Sequence, residues 1–193
     1  MTTILLARHG ETDWNREGRF QGHADAPLNE TGRAQAAALA RELAGVALAA
    51  VYSSPLRRAL ETAEVVAAEH GLEPVAVDAL REVDVGSWEG LTRAEVEARF
   101  PEQLARWLDY DQGWQDGESY DEMGQRVVSA LLGLAAAHLG EQILAVTHGG
   151  PIRAAFAFAD GTSHADARRL GPRIGNAFVA KFAVEDEALR RLD

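Results

Sequence analysis

The sequence has no cysteine, a single lysine and no long hydrophobic run. Without cysteine the chain has no disulfide, zinc knuckle, iron–sulfur cluster or catalytic thiol. The apolar runs, such as residues 4–7 and 143–146, are far shorter than the roughly 20 residues of a membrane-spanning helix. Arg8, His9 and Glu11 interrupt the apolar stretch at the N-terminus, which is not the pattern of a signal peptide. We therefore expect a cytoplasmic protein without a membrane partner.

Positive charge is also scarce, because the chain has 19 basic and 30 acidic residues, which gives a formal net charge of −11. Nucleic-acid binding needs a stripe of cations, so we expect no nucleic-acid partner. Apart from Lys181 the basic residues are arginines, whose planar fork matches the oxygens of a phosphate group. Any anion site is therefore local. The length of 193 residues predicts a single domain over residues 1–193, since domains usually have roughly 100–200 residues.

Short apolar runs alternate with helix-like segments along the chain. The runs at residues 4–7, 49–52, 74–77 and 143–147 predict buried strands, and alternation over 178–184 predicts a final strand. This order predicts an α/β fold, a three-layer sandwich with a mainly parallel central sheet and helices on both faces. Helical spacing and capping residues predict helices over residues 29–43, from Ser54 to 69, from Thr92, from Ser119 to 139 and through 158 after Pro151.

Two of the predicted strands end in the same way, with a histidine followed by glycine. His9 and Gly10 follow the first strand, and His148 and Gly149 follow the strand near residue 145. In an open α/β sheet the carboxyl ends of parallel strands share one edge, where ligands bind in a crevice. We therefore expect the two histidines to meet there.

Two arginines accompany these histidines. Arg8 directly precedes His9, and Arg58 falls in the first turn of the helix that Ser54 and Pro55 are expected to open. Backbone N–H groups at the start of a helix already favour an anion, and the helix that begins near Gly149 offers a second set of such donors. The pattern predicts an anion site at this edge of the sheet.

Nine short segments also follow one another in a distinctive order. They are residues 8–15 (RHGETDWN), 20–22 (FQG), 27–32 (PLNETG), 53–59 (SSPLRRA), 62–63 (TA), 80–82 (LRE), 86–90 (GSWEG), 117–119 (GES) and 146–150 (VTHGG). Together they resemble the histidine phosphatase superfamily, in the branch that includes cofactor-dependent phosphoglycerate mutase. The resemblance covers residue 4 to about residue 150 and the final strand. An Arg-His-Gly triplet alone would be a weak match, whereas the ordered set is a strong one.

The resemblance implies that His9 is the nucleophile, that Arg8, Arg58 and His148 form the phosphate pocket, and that Glu82 is the proton donor. A neutral imidazole nitrogen is nucleophilic near pH 7. Two guanidiniums supply the fixed charge that phosphoryl oxygens need, so no metal or other cofactor is expected. The charge of His148 stays open. Further substrate-binding residues are implied at the pocket or its rim: Asn15, Gln21, Gly22 and Gly149.

The other histidines and the large aromatic residues match no catalytic position. We interpret His23, His70, His138 and His164 as surface or loop residues. Two roles are left open for the large aromatic residues, which are packing in the core and lining the mouth of the substrate site. These residues are Trp88, Trp107, Tyr110 and Trp114.

The activity is predicted from the segment between Gly90 and Ser119, which is acidic and aromatic. A mutase must retain the departing phosphoglycerate and exclude water, which calls for cationic loops, and no cation outside the phosphate pocket is evident. We therefore expect a histidine acid phosphatase-type phosphomonoesterase that hydrolyses a small phosphorylated metabolite and favours neutral or aromatic monoesters over 2,3-bisphosphoglycerate.

Three other functions are weighed against this expectation. The first is a phosphoglycerate mutase, and the second is a non-catalytic phosphate-ligand binder on the same fold. The third is a metal-dependent hydrolase that uses His9, His148 and a carboxylate as ligands, although Arg8 and Arg58 would repel a divalent ion. The sequence leaves open the physiological substrate and whether the chain forms a homo-oligomer.

Overall fold

The computed structural model describes residues 1–110 and 113–192, with the backbone alone for Tyr110. Within these ranges the strands form one sheet in the order β3-β2-β4-β1-β5-β6. Neighbours from β3 to β1 run parallel, and β5 and β6 are antiparallel additions at one edge. The prediction of a mainly parallel sheet is confirmed. The strands are β1 (Thr2–Arg8), β2 (Ala50–Ser53), β3 (Pro74–Ala76), β4 (Gln142–Thr147), β5 (Val179–Glu185) and β6 (Ala188–Leu192).

Helices connect the strands, and three of them begin directly after the predicted capping residues. Asn29 accepts a hydrogen bond from the N–H of Gly32, and Thr92 and Ser119 each start a helix with a capping box. None of the helices in the described ranges is long and apolar enough to cross a membrane. The helices are α1 (Asp13–Glu17), α2 (Glu30–Leu43), α3 (Arg57–Glu69), α4 (Arg93–Arg99), α5 (Pro101–Tyr110), α6 (Tyr120–Ala137), α7 (Gly149–Asp160) and α8 (His164–Leu170).

The sheet has an apolar cluster on each face, because successive strand side chains point in opposite directions. Ile4 of β1 lies in the cluster that includes Ile152 of α7 and residues of α6. Its neighbour Leu5 lies in the other cluster, with Val66 of α3 and residues of α2. Helices therefore cover both faces, which confirms the predicted three-layer sandwich.

The start of α3 differs from the prediction. Ser54 and Pro55 were expected to be the N-cap and the first helical residue, but the helix begins at Arg57 with Leu56 at the N-cap. The N–H of Ser54 donates to the carbonyl of Val146 at 2.9 Å, so pairing with β4 continues beyond β2 and delays the helix. The Ser54 hydroxyl is thereby left at the edge of the sheet rather than at a helix cap.

Candidate active site

Three neighbouring strands deliver polar residues to one edge of the sheet. β2, β4 and β1 are adjacent and parallel, and Ser54, His148 and His9 follow their carboxyl ends. The rings of His9 and His148 meet edge to face, with centroids 5.1 Å apart. The juxtaposition expected from the strand pattern is therefore present, and it lies where ligands bind in open α/β sheets.

The tautomer of His9 follows from one hydrogen bond. Nδ1 lies 2.6 Å from the carbonyl oxygen of Gly10, and a carbonyl oxygen can only accept, so Nδ1 carries the proton. Burial, followed by the charges of Arg58 and Arg8, lowers the pKa of His9 well below its usual value. The ring is therefore neutral at pH 7, and the unprotonated nitrogen is Nε2.

Backbone carbonyl groups anchor the two arginines of the site. Nη1 and Nη2 of Arg58 donate to the carbonyls of Ala24 and Gly22, at 2.6 and 2.8 Å. Nη1 of Arg8 donates to the carbonyl of Ile174 at 2.8 Å. In the described part of the chain, Nε of each arginine is buried without a hydrogen-bond partner. Both guanidiniums are thus fixed in place with a donor still uncommitted.

Both arginines keep their charge at neutral pH. Burial lowers the pKa of Arg58 to about 10, while the nearby carboxylate of Glu82 acts in the opposite direction. Burial also lowers the pKa of Arg8, and the Glu82 carboxylate again acts in the opposite direction. A desolvated guanidinium with few water contacts interacts strongly with an anion, so this edge of the sheet is suited to a phosphoryl group.

The carboxylate of Glu82 faces the start of α7. Oε1 accepts hydrogen bonds from the N–H groups of Val83 at 3.0 Å and Gly150 at 3.2 Å. A Cβ on Gly150 would overlap Oε1, so residue 150 has to be glycine for the carboxylate to sit there. The second glycine after His148 therefore leaves room for Glu82.

Arg126 of α6 holds the loop that carries Glu82, and the sequence analysis did not identify it. Its guanidinium donates to the carbonyls of Ala79, Arg81 and Glu82 at 2.8, 2.9 and 2.9 Å. The same side chain pairs with both carboxylate oxygens of Glu118, at 2.5 and 2.6 Å. A bidentate arginine fixes direction as well as distance, so the loop has a defined conformation.

The surroundings of His148, whose charge the sequence left open, favour its neutral form. Nε2 lies 2.8 Å from the hydroxyl of Ser54, and in the described residues Nδ1 is buried without a partner. Burial, and then the charge of Arg58, lowers the pKa of His148 well below its usual value. The imidazole is neutral at pH 7.

Hydrogen bonds fix the side-chain oxygens of Asn15 and Gln21, the two amide residues at the rim of the site. The N–H of Thr12 donates to Oδ1 of Asn15 at 3.1 Å, and its hydroxyl donates to Oε1 of Gln21 at 3.0 Å. Asn176 adds a second donor to Oδ1 of Asn15, at 3.1 Å. The amide nitrogens of Asn15 and Gln21 are thereby left as donors for the pocket that both residues line.

A cavity of about 170 Å³ collects most of the predicted residues. Arg8, His9, Asn15, Gln21, Arg58 and Glu82 line its wall. Three predicted residues do not line it. Gly22 supplies the carbonyl that holds Arg58, His148 packs behind His9, and Gly149 begins α7. The wall also includes residues that the sequence analysis missed: Arg19, Phe20, Val83, Val85, Tyr120, Gly150 and Arg153.

Arg19 and Arg153 correct the expectation that no cation lies outside the phosphate pocket. Arg153 carried a usable signal, since it lies one turn after Gly149 in a helix that starts at the sheet edge. Helical side chains lean toward the N-terminus of their helix, so an arginine at that position reaches back to the edge. For Arg19 the signal was weaker, because only the fold brings its loop to the pocket.

The described part of the acidic segment between Gly90 and Ser119 holds neighbouring groups in place instead of lining the cavity. Glu95 pairs with Arg19 at 3.1 Å, and Glu118 pairs with Arg126. Asp111, which belongs to the same acidic run, lies outside the described residues, as does the Tyr110 side chain. Within the described ranges, no group of three or more His, Asp or Glu side chains is arranged to hold a metal ion.

Several of the remaining aromatic side chains pack around Trp88. Trp88 is fully buried, which favours core packing, and it meets Phe20, Trp107 and Trp114 edge to face. The interpretation of His164 as a surface or loop residue is wrong, because its ring is buried and stacks on Tyr120 at a centroid distance of 4.0 Å.

Comparisons with known proteins define the class to which this fold and site belong. The sequence profile of the histidine phosphatase superfamily (branch 1) matches residues 4–192. The structure of Bacillus stearothermophilus YhfR superposes with a TM-score of 0.91 at 34% identity, covering 99% of this chain and 95% of that one. The chain therefore belongs to the histidine phosphatase superfamily, as the sequence motifs predicted.

Two further relatives are named for their reactions. Phosphoserine phosphatase 1 of Hydrogenobacter thermophilus is 37% identical over 158 residues, which is 81% of this chain and 75% of that protein. The mycobacterial glucosyl-3-phosphoglycerate phosphatase Rv2419c, in complex with VO3, superposes with a TM-score of 0.86 at 32% identity, covering 98% and 96% of the two chains. With the family match, these relatives make the protein a phosphoric monoester hydrolase.

Proposed function

We propose that the protein hydrolyses small phosphate monoesters through a phosphohistidine on Nε2 of His9. The observation that carries this proposal is the hydrogen bond from Nδ1 of His9 to the carbonyl of Gly10. It places the proton on Nδ1 and leaves the lone pair on Nε2, in a ring whose pKa is lowered by burial and by two arginines. The nucleophile is therefore ready without a separate base.

In the first step Nε2 attacks phosphorus, the N–P bond forms and the bond from phosphorus to the ester oxygen breaks. Glu82, in its protonated form, gives its proton to the departing alkoxide, which leaves as the alcohol. In the second step the Glu82 carboxylate takes a proton from water. The oxygen of that water bonds to phosphorus, and the N–P bond breaks. Inorganic phosphate leaves, and His9 and Glu82 return to their starting states.

The phosphoryl oxygens meet the positive charges of Arg8 and Arg58. Nε of each guanidinium is the uncommitted donor described above, and the amide nitrogens of Asn15 and Gln21 are further donors at the rim. We assign His148, which packs behind His9, a supporting role as a neutral group held by the hydroxyl of Ser54. Two fixed cations provide the charge stabilisation that phosphoryl transfer needs without a metal ion.

The names of the relatives support a small phosphorylated metabolite as the substrate. One is a phosphoserine phosphatase and another a glucosyl-3-phosphoglycerate phosphatase. The cavity that the candidate catalytic residues line is small, about 170 Å³, compared with the roughly 300–1,000 Å³ of common ligand pockets.

The direct test is to trap the phosphoenzyme. Brief exposure of the purified protein to a ³²P-labelled monoester should leave an acid-labile, base-stable phosphoryl group, and the His9→Ala variant should leave none. His70→Ala, at a histidine outside the cavity, is the matched control and should label like the wild type. Label on the His9→Ala variant at wild-type yield would refute the assignment.

A second measurement separates this mechanism from a metal-dependent one. Activity should persist in excess chelator, and vanadate should inhibit because it imitates pentacoordinate phosphorus. Loss of activity in chelator that a divalent ion restores would favour the alternative in which His9, His148 and a carboxylate are metal ligands.

A further inference from the structure

Two of the sequence motifs have no role in the proposed mechanism, although the helices they belong to contact the loop that carries His9. Residues 27–32 (PLNETG) lead into α2, and residues 62–63 (TA) lie in α3. Each of these helices provides a side-chain oxygen that accepts a hydrogen bond from the backbone directly after His9. Such contacts act on the nucleophile without touching the substrate.

The approach of α2 to this loop depends on Gly32. A Cβ on residue 32 would overlap the carbonyl oxygen of Glu11 and lie 2.8 Å from its nitrogen, so glycine lets the two backbones meet. Gln35 follows three positions later, on the same face of the helix. Its Oε1 accepts a hydrogen bond from the N–H of Glu11 at 2.8 Å. The side chain of Gln35 is thereby directed at the peptide group between Gly10 and Glu11.

That peptide group is the one that holds the proton of His9. The N–H of Glu11 and the carbonyl of Gly10 belong to a single planar unit. Nδ1 of His9 donates to this carbonyl at 2.6 Å, while Gln35 accepts from the N–H on the opposite side. A continuous chain of hydrogen bonds therefore joins Gln35 to the imidazole through one peptide group, and each bond in such a chain polarises the next.

The direction of the Gly10 carbonyl has to be fixed from outside, because glycine has few steric limits of its own. The buried hydroxyl of Thr62 accepts from the N–H of Gly10 at 3.1 Å and donates to the carbonyl of Arg58 at 2.8 Å, which fixes the peptide group before Gly10. Rotation about ψ of Gly10 would still swing its carbonyl away from Nδ1. The hydrogen bond to Gln35 opposes that rotation.

We propose that Gln35 is a positioning residue that keeps the Gly10 carbonyl on Nδ1 of His9 and thereby leaves Nε2 unprotonated for attack. This inference rests on the proposed phosphohistidine mechanism and extends it from the cavity to α2. An amide suits this position, because its oxygen accepts the hydrogen bond without a negative charge that would favour the protonated imidazole.

The first variant, Gln35→Met, preserves the length of the side chain and removes the acceptor. For p-nitrophenyl phosphate, whose leaving group needs no proton, kcat/KM reports the attack by His9. It should fall by about 5- to 10-fold, the effect of one lost hydrogen bond. The inhibition constant of inorganic phosphate should stay close to that of the wild type, because Arg8 and Arg58 are unchanged. Gln125→Met, at an exposed glutamine of α6, is the matched control and should change neither value.

The second variant, Gln35→Glu, restores the acceptor and adds a negative charge. Above pH 7 its kcat/KM should return close to that of the wild type. The added carboxylate stabilises the protonated imidazole, so the pKa of His9 rises and the acidic limb of the kcat/KM profile should move to higher pH by about 1 pH unit. Gln125→Glu adds the same charge on α6 and should leave the limb in place.

The charged and titratable groups around His9 in the described structure are the same in all of these variants. They are Arg8 at the end of β1, Glu11 in the loop after it, Arg58 of α3, Glu82, His148 before α7 and Arg153 of α7. The ionisation of the substrate is also common to all of them. A movement of the acidic limb in Gln35→Glu alone therefore comes from residue 35.

The ¹⁵N NMR spectrum of the histidine-labelled protein measures the position of the proton without catalysis, with the signals of His9 identified by their loss in His9→Gln. At pH 7.5 the wild type and Gln35→Glu should show a protonated Nδ1, whereas Gln35→Met should show a fraction protonated on Nε2. An unchanged tautomer in Gln35→Met, or equal losses of kcat/KM in both Gln35 variants with the acidic limb in place, would overturn the inference. Wild-type protein that does not hydrolyse p-nitrophenyl phosphate would instead overturn the proposed function, and the spectra would still test the role of Gln35.

Discussion

Glu82 has two hydrogen-bond donors on its carboxylate and two arginines near it, yet the proposed mechanism asks it to carry a proton. Glu82→Gln preserves size and hydrogen bonding but cannot give up a proton. Hydrolysis of an alkyl ester such as O-phosphoserine should therefore fall by about 10²–10⁴-fold. Hydrolysis of p-nitrophenyl phosphate should fall less, because nitrophenolate leaves without protonation. Steady-state kcat on both esters is the measurement, with Glu97→Gln on the exposed face of α4 as control. Equal losses on both esters would indicate a structural role for Glu82.

His9 and His148 also make the stability of the protein depend on pH. Burial lowers the pKa of both rings in the folded state, so below about pH 6.5 the unfolded chain binds more protons than the folded one. Their contribution to stability is complete above that pH and is lost as the pH falls through it. Between pH 7.5 and 5.5 the free energy of unfolding should decrease by about 1 kcal/mol for each histidine. Urea unfolding at both pH values should show a smaller decrease for His148→Gln than for the wild type, and an unchanged decrease would contradict the assignment.

At the scale of the elements, the start of α7 and the Glu82 loop meet at a single glycine. A Cβ on Gly150 would overlap the Glu82 carboxylate and lie 3.0 Å from Sδ of Met123. Gly150→Ala should therefore displace the proton donor and lower kcat on O-phosphoserine by about the same 10²-fold or more as Glu82→Gln. Gly133→Ala in α6 is the matched control, because its Cβ would meet nothing within 4 Å and alanine is the better helix former. Wild-type kcat in Gly150→Ala would show that Glu82 does not need this contact.

The elements that could be predicted are those whose signals lie within a few residues. Asn29, Thr92 and Ser119 each mark the start of a helix by a local capping hydrogen bond. The strands β1 and β4 each contain a continuous apolar run. Local sequence signals did not predict α1, α5, α8 or β6. These elements are short, and their place depends on packing, as where Trp107 of α5 meets Trp88. The delayed start of α3 likewise depends on pairing with β4, which local propensity does not report.

The residues of the site also fall into those that local sequence signals predict and those that depend on the tertiary fold. Residues adjacent to strand ends, such as His9 and His148, could be predicted because parallel strands share an edge. Arg126 could not be, since it reaches three carbonyls more than 40 positions away through the tertiary fold. Arg153 lies between these cases, because helix geometry indicates its direction but only the structure shows that it lines the cavity.

At the scale of the whole molecule, positive charge is concentrated at the cavity although the net charge of the protein is negative. The chain carries a formal net charge of −11, but Arg8, Arg58 and Arg153 line one cavity, with Glu82 as the acidic residue among its described lining. Surface acids such as Glu95 and Glu118 are paired with arginines beside the site. An anionic substrate is therefore attracted locally and repelled elsewhere, which favours small ligands over extended polyanions.

The same distribution predicts how the phosphoenzyme is discharged. A mutase has to hold the departing phosphoglycerate while it turns over and presents its other oxygen. In the described wall of the cavity, the cations beyond Arg8 and Arg58 are Arg153 and Arg19, and Arg19 is already paired with Glu17 and Glu95, so little positive charge is left to retain a departing anion. The alcohol should leave and water should reach phosphohistidine 9 first.

The assay supplies 3-phosphoglycerate with catalytic 2,3-bisphosphoglycerate and follows 2-phosphoglycerate and free phosphate in the same sample. Phosphate release should dominate, and 2-phosphoglycerate should stay near the background of the His9→Ala variant, because both reactions pass through the same phosphoenzyme. Isomerisation that outpaces phosphate release would mean that the cavity retains the phosphoglycerate long enough for transfer back, and that water is kept away from His9.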